Sequence, residues 1–196
     1  MRKIEEFRIE FASKQNEIAP AGKFAKAVYD VTDSFKGAVI AAFIIFSLAF
    51  RVVGVEGDSM NPTLHSGDWL AVGSVSISGF KAGDIVVVTQ PWERNVPIIK
   101  RVIAVGGDTV DINFITHQVI VNGKVLDEPY IAQPTSLKYD VEFPLVVEEG
   151  KLFVMGDNRN NSVDSRSSAI GLVDERYVLG KAVMRILPAG DRNIYD

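Results

Sequence analysis

The sequence predicts a mainly β protein, an antiparallel β domain carried behind one N-terminal apolar helix. Short β-branched runs closed by Gly-Asp or Asn-Gly recur after residue 55, which is the pattern of strands and hairpins. Before them stands the only long uncharged stretch, GAVIAAFIIFSLAF over residues 37–50. The 196 residues allow one globular domain with room for a small insertion, and 47% hydrophobic content suffices for both a core and a membrane segment.

The chain opens with residues 1–36, where charges alternate with Ile4, Phe7, Ile9, Phe11 and Ile18. Such a pattern fits an amphipathic helix on a membrane surface or a solvated arm, and the arm is preferred here. Residues 37–55 then give 19 positions with one charge, Arg51, near the end. A bilayer-spanning helix needs about 20 apolar residues, and an arginine close to its end can reach the headgroups. A buried helix or a cleaved signal sequence would look similar, but 36 residues precede the run and no clean small-residue cleavage pattern follows it. The expected organisation is a tail over 1–36, a transmembrane anchor over 37–55 and a β domain over 56–196. Lys23, Lys26 and Lys36, offset by Asp30 and Asp33, outweigh Arg51 only slightly, so loop charge favours a cytoplasmic N-terminus weakly.

Strands follow in order within the β domain. Residues 69–72 come after Gly67-Asp68 and residues 85–89 after Gly83-Asp84. Residues 98–105 run to Gly106-Gly107-Asp108, residues 109–112 follow, and residues 118–121 end at Asn122-Gly123. Residues 153–155 and 181–186 read as returning strands that complete the core. Residues 109–150 contain Pro129, Pro134 and Pro144 and none of the reactive blocks described below, so they read as an elaboration of the sheet.

Composition narrows the function. A net charge of −4 and a pI near 5.3 exclude a general nucleic-acid binder, which needs clustered Lys and Arg against phosphates. The absence of cysteine removes disulfides, thiolate catalysis and Cys-ligated zinc. His65 and His117 are the only histidines, neither placed for a Ser-His-Asp triad or a His-x-x-x-His metal pair, so no metal and no cofactor are expected. Gly106-Gly107-Asp108 is too short for a phosphate loop and reads as a tight turn.

Three blocks remain. The first is Gly57-Asp58-Ser59-Met60-Asn61-Pro62-Thr63-Leu64, the second Val96-Pro97-Ile98-Ile99-Lys100-Arg101-Val102-Ile103, and the third runs from Gly156-Asp157-Asn158-Arg159 through Ser162, Asp164 and Ser165 to Arg166. A serine hydroxyl is a poor nucleophile until a base takes its proton, and lysine serves as that base only when its ammonium is destabilised. The aliphatic residues around Lys100 supply such a setting, since buried lysines fall by several pKa units from about 10.4. In a strand Ile98 and Lys100 share one face, which turns Arg101 away. Each block alone is ambiguous: Gly-Asp-Ser is an ordinary turn, a lysine between aliphatics can snorkel to water, and the third block reads as a solvated loop with Asx turns.

Together and in this order, the three blocks resemble type I signal peptidases, membrane-bound serine proteases that remove signal peptides from exported proteins. The resemblance covers most of the chain after residue 50. It implies a signal-peptidase-like antiparallel β fold with one N-terminal transmembrane helix, and a small variable β insertion at about 109–150. By the same resemblance Ser59 in Ser-Met-x-Pro-Thr is the acylated nucleophile, Lys100 the general base, and Ser162 orients the lysine amine. Asp164 and Arg166 form a supporting salt bridge, while Asp157, Asn158 and Arg159 have structural roles. Some members carry a second serine two residues before the nucleophile to hold the oxyanion; Gly57 stands there instead, similar to the variant usual in Gram-positive bacteria, which leaves the oxyanion to backbone N–H groups. Met60 belongs to the same block. The implied partners are signal-peptide-bearing preproteins with small residues one and three positions before the cut, membrane lipid and the secretion translocon, with the catalytic domain on the outer face of the cell membrane. Two competing readings are a self-cleaving repressor-type Ser/Lys protease, which should bring a DNA-binding domain and an internal scissile loop, and a non-catalytic membrane-anchored β module, which needs no paired Ser and Lys.

Overall fold

The computed structural model of the chain describes residues 22–74, 79–89, 96–190 and 192–195. The chain divides into two compact units, the second running from Ser47 to Asp196. Helix α1 covers Lys23–Ala49. Lys26, Asp30, Asp33 and Lys36 occupy its first half, so its uncharged part is confined to residues 37–49. At 1.5 Å per residue that part rises about 20 Å, against a hydrocarbon core about 30 Å thick. Among the described residues no helix is long and apolar enough to cross a membrane. Within α1 the side chains of Val39, Ile40, Phe43 and Ile44 are exposed.

Two sequence expectations need correction here. The arm expected over residues 1–36 lies outside the described residues up to 21, and its remainder from Lys23 is helical. The anchor expected over 37–55 is not one helix either, because Phe50–Gly54 forms strand β1. Val52 and Val53 are β-branched, and their strand pairs antiparallel with β2 (Trp69–Gly73), Val52 opposite Ala71 and Val53 opposite Leu70. Hydropathy runs on across the junction because an apolar strand joined to an apolar helix gives one continuous signal.

Nine further strands follow: β3 (Ile85–Val88), β4 (Ile98–Val105), β5 (Thr109–Asn113), β6 (Gln118–Val121), β7 (Lys124–Val125), β8 (Leu145–Val146), β9 (Lys151–Met155), β10 (Val173–Asp174) and β11 (Val178–Leu187). They build a seven-stranded sheet in the order β1-β2-β11-β3-β4-β9-β10 and a four-stranded sheet in the order β7-β6-β5-β8. All the pairings are antiparallel. The expected strands over 69–72, 85–89, 98–105, 109–112, 118–121, 153–155 and 181–186 each fall on one of these elements. The four strands of the second sheet lie within residues 109–150, the segment read from the sequence as an insertion.

β3 reads Ile-Val-Val-Val and is buried at every position, as a strand covered on both faces should be. Ile85 and Val87 enter a cluster with Val55, Met60, Leu64, Leu70 and Val72, and Val86 and Val88 enter another with Val102, Leu152 and Val154. A third cluster joins the two sheets, packing Ile103, Phe153 and Met155 against Val110, Ile112 and Val119. Phe143 from the insertion meets Phe153 edge-on at 5.9 Å between ring centroids. The tightest backbone crossing is at Gly180 of β11, where a Cβ would overlap the carbonyl oxygen of Gly73 and press on Val72. Gly180→Ala should therefore destabilise the β unit by about 1–3 kcal/mol, read from the urea midpoint; an unchanged midpoint would show that β2 and β11 separate freely.

Candidate active site

β4 positions the central residue. Its Lys100 pairs opposite Val86 of β3, and the next residue, Arg101, pairs opposite Met155 at the end of β9. The strand alternation sends the two cations to opposite faces. Lys100 is 4% exposed, and its Nζ donates to Ser59 Oγ at 2.7 Å and to the carbonyl of Ile99 at 3.1 Å. Burial pushes this amine down from 10.5 to about 8; Asp164 and then Asp157 oppose the shift, and Arg166 assists it. Tuned in this way, the amine can accept a proton near neutral pH.

Ser59 lies in the turn that follows β1. Met60 and Leu64 anchor that turn in the core, and the N–H of Leu64 donates to the carbonyl of Met60 at 2.9 Å. Gly57 has φ +81°, in the left-handed region that favours glycine, while space for a side chain is open there. Conformation, not crowding, accounts for glycine at this position. The N–H of Gly57 donates to Ser66 Oγ at 3.3 Å, whereas the N–H of Ser59 meets no acceptor among the described residues. The free N–H can serve an oxyanion. A cleft of about 510 Å³ opens onto Ser59 and Lys100 between Val53–Gly57 on one side and Val96–Ile99 on the other.

The third block closes the site from the end of β9. Asn158 donates its backbone N–H to the Ser59 carbonyl and its Nδ2 to the Asp58 carbonyl, each at 3.0 Å, and so fixes the backbone that carries the serine. Gly156 is required by proximity, since a Cβ there would overlap both Ser162 Oγ and the Ser59 carbonyl oxygen. Asp164 takes a two-pronged contact from Arg166, Nε to Oδ1 at 2.8 Å and Nη2 to Oδ2 at 2.9 Å, and also accepts the Gly156 N–H at 3.0 Å. The hydroxyl of Ser162 is buried without a hydrogen-bond partner, and the donors of Lys100 go to Ser59 and Ile99 instead. The chain thus brings Ser59, Lys100, Gly57, Met60, Ser162, Asp164 and Arg166 into one region, with Ser162 beside the dyad but not bonded to it.

Several residues that hold Asp157 and Arg159 in place escaped the sequence reading. Asp157 is gripped by Arg101, Nε to Oδ1 at 2.8 Å and Nη2 to Oδ2 at 2.7 Å, and it also accepts from Thr63 Oγ1. Arg159 pairs with Glu128 at 2.7 Å and donates to Thr135 Oγ1 at 3.1 Å. The ring of Tyr130 lies 4.0 Å from the Arg101 guanidinium, and burial first, then Glu128, holds its phenol up at about 12. Tyr139 donates to the Ser162 carbonyl at 3.0 Å. Glu128, Tyr130, Thr135 and Tyr139 all come from the insertion, where no motif marks them. The one available signal was local: the first and third blocks carry charges that a solvated loop would not need to bury. Among the described residues no cluster of three His, Asp or Glu side chains is arranged to hold a metal ion.

Comparison with known proteins adds a family. The signal peptidase family, peptidase S26, matches residues 29–187. Signal peptidase I of Bacillus licheniformis is 41% identical over 160 residues, covering 77% of this chain and 84% of that protein. Signal peptidase I S of Bacillus subtilis is 35% identical over 173 residues, covering 83% and 91%. A crystal structure of a signal peptidase I from Enterococcus faecalis has 32% sequence identity and a TM-score of 0.44, covering 55% of this chain and 100% of that one.

Three outcomes follow from the geometry. Acylation of Ser59 by a small activated ester should rise about tenfold per pH unit up to about pH 8 and level off above it, because only the neutral amine accepts the proton; a plateau already reached at pH 6 would contradict a buried, destabilised lysine. The sign for stability is the same: the cost of burying the charged amine is complete below pH 8 and is relieved as pH climbs from 8 toward 10.5, where the unfolded chain still holds the proton. Gly156→Ala should push Ser59 and Ser162 apart, cutting the acylation rate at least tenfold while the far-UV circular dichroism stays native.

Proposed function

The chain belongs to the signal peptidase family, peptidase S26, and we propose that it is a membrane-associated serine endopeptidase removing signal peptides from exported preproteins, with Ser59 as nucleophile and Lys100 as general base. The observation that supports this most directly is the 2.7 Å approach of Lys100 Nζ to Ser59 Oγ in a setting that holds the amine down at about 8. The neutral amine takes the hydroxyl proton as Oγ attacks the scissile carbonyl carbon, and the oxyanion accepts the free N–H of Ser59. Collapse of this adduct breaks the C–N bond; Lys100 delivers its proton to the departing nitrogen and the mature N-terminus leaves. Water then gives a proton to Lys100 and attacks the ester carbonyl; as the C–O bond to Ser59 breaks, Lys100 returns that proton to Oγ and the signal peptide leaves as a carboxylic acid. Asp164 and Arg166 support the site by holding Gly156 and Ser162 in position. Ser162 supplies a buried hydroxyl that crowds Gly156 together with the Ser59 carbonyl and can orient the amine.

The substrate lies along the free edge of β1. The backbone N–H of Val55 donates to the Asp68 carbonyl at 2.8 Å and its carbonyl accepts the Gly67 N–H at 2.9 Å, so the alternate residues Gly54 and Glu56 turn their backbone groups toward the cleft. An extended peptide paired there presents alternate side chains to the apolar side formed by Val53 and Ile99, which suits small residues one and three positions before the cut. Lipid contact is supported by the exposed apolar residues of α1 and by a second group on the outer face of the sheet, Val52, Trp69, Val183 and Leu187. In this reading the apolar half of α1 is the membrane segment, accommodated by local thinning of the bilayer, with residues before it cytoplasmic and the catalytic domain, its β insertion included, on the outer face. The secretion translocon is the further partner this arrangement expects.

Cleavage of a preprotein in liposomes tests the reading. Wild type should cut after the small-x-small motif, and Ser59→Ala and Lys100→Ala should each lose about 10³-fold or more of that activity. Cleavage that survives in Ser59→Ala would overturn the dyad.

A further inference from the structure

One charged side chain in the cleft has no part in the dyad or its supports. Glu56 lines the same cavity as Ser59 and Lys100, is exposed, and has no hydrogen-bond or ion-pair partner among the described residues. Apart from Ser59 and Lys100, every other lining residue is Val, Gly, Pro or Ile. Among the described lining residues Glu56 carries the one negative charge, set in an otherwise apolar groove beside the dyad.

Its position relative to a bound peptide follows from the strand. Val53 and Val55 turn their side chains into the core cluster with Met60 and Leu64, so Gly54 and Glu56 present theirs on the opposite face. A Cβ at Gly54 would meet nothing within 4 Å, which leaves the face beside Glu56 open. A peptide paired with this edge alternates in the same way. Residues one and three before the cut go to the apolar side with Val53 and Ile99, and the residue between them goes to the side of Glu56. We infer that Glu56 is a specificity-determining residue that favours a lysine or arginine, and disfavours an acidic residue, two positions before the cut. The inference rests on the substrate placement proposed above.

The test separates binding from chemistry. Three extended peptides, identical except for Lys, Ala or Glu two positions before the cut, are titrated against the full chain carrying Ser59→Ala and against the Ser59→Ala, Glu56→Gln double variant. In Ser59→Ala at low salt the Lys peptide should bind about threefold to tenfold tighter than the Glu peptide, the range for one exposed charge attracted or repelled. The ratio should fall to about one in the double variant, and should shrink at 1 M salt, where screening acts within about 3 Å. Moving the lysine one place along the peptide carries it to the apolar face and should remove the dependence on Glu56. A Lys-to-Glu ratio unchanged by Glu56→Gln, a ratio of one in Ser59→Ala, or no binding of any peptide would each overturn the inference. Wild-type cleavage of the Ala peptide is followed in parallel: its absence would sink the catalytic reading, while the binding ratio still decides the role of Glu56.

Discussion

Weakening the hold of one lysine on its proton, next to one serine, is the constraint on which the rest of the site depends. Desolvation is the agent, and it acts in a place crowded with ionised groups, since Asp157, Arg159, Asp164 and Arg166 are each wholly buried. A buried carboxylate left unpaired would stabilise the ammonium and return Lys100 to an inert cation. The two carboxylates that oppose the downward shift are the two that are fully engaged: Arg166 grips Asp164 and Arg101 grips Asp157, both through two nitrogens. The arginines thus do for the lysine what distance alone could not, by balancing the negative charge around it.

Such pairs stabilise the protein only when their geometry is complete, because a buried charge without its partner costs about 3–5 kcal/mol. This gives the insertion its physical purpose. Glu128 neutralises Arg159, Tyr130 covers the Arg101 guanidinium, and the Leu137 carbonyl accepts from Arg166 at 3.0 Å. Asn160 in turn accepts the N–H groups of Ser136 and Leu137, each at 3.0 Å, and Asp140 caps Ser168. The segment that carries no reactive residue is therefore what makes the reactive segment affordable in a dry interior. The backbone contacts of Asn158 then transmit this rigidity to Ser59.

Much of this was legible beforehand, for reasons that differ by residue. The β-branched runs of β3, β4 and β11 and the Gly-Asp and Asn-Gly turns between strands are local signals, and each of those strands formed where it was expected. The alternation that separates Lys100 from Arg101 is equally local, and it held. The junction of α1 with β1 was not legible, because apolar residues satisfy a membrane helix and an edge strand alike until the partner strand β2 is known. Glu128, Tyr130 and Tyr139 were not legible because nothing in the sequence near them indicates a buried arginine some 20 to 30 positions away.

The sequence by itself determined which chemistry was available: a serine, a lysine set among aliphatics, no cysteine, no suitably placed histidine, and strands to carry them. Only the tertiary structure decided that the lysine loses most of its affinity for a proton, that Asp157 and Asp164 each have their own arginine, and that Glu56 stands alone in the cleft among the described residues. The division has one cause. Strand periodicity and turn formation depend on neighbours in the chain, whereas burial and charge balance are sums over atoms that folding brings together from β1, β4, β9 and the insertion.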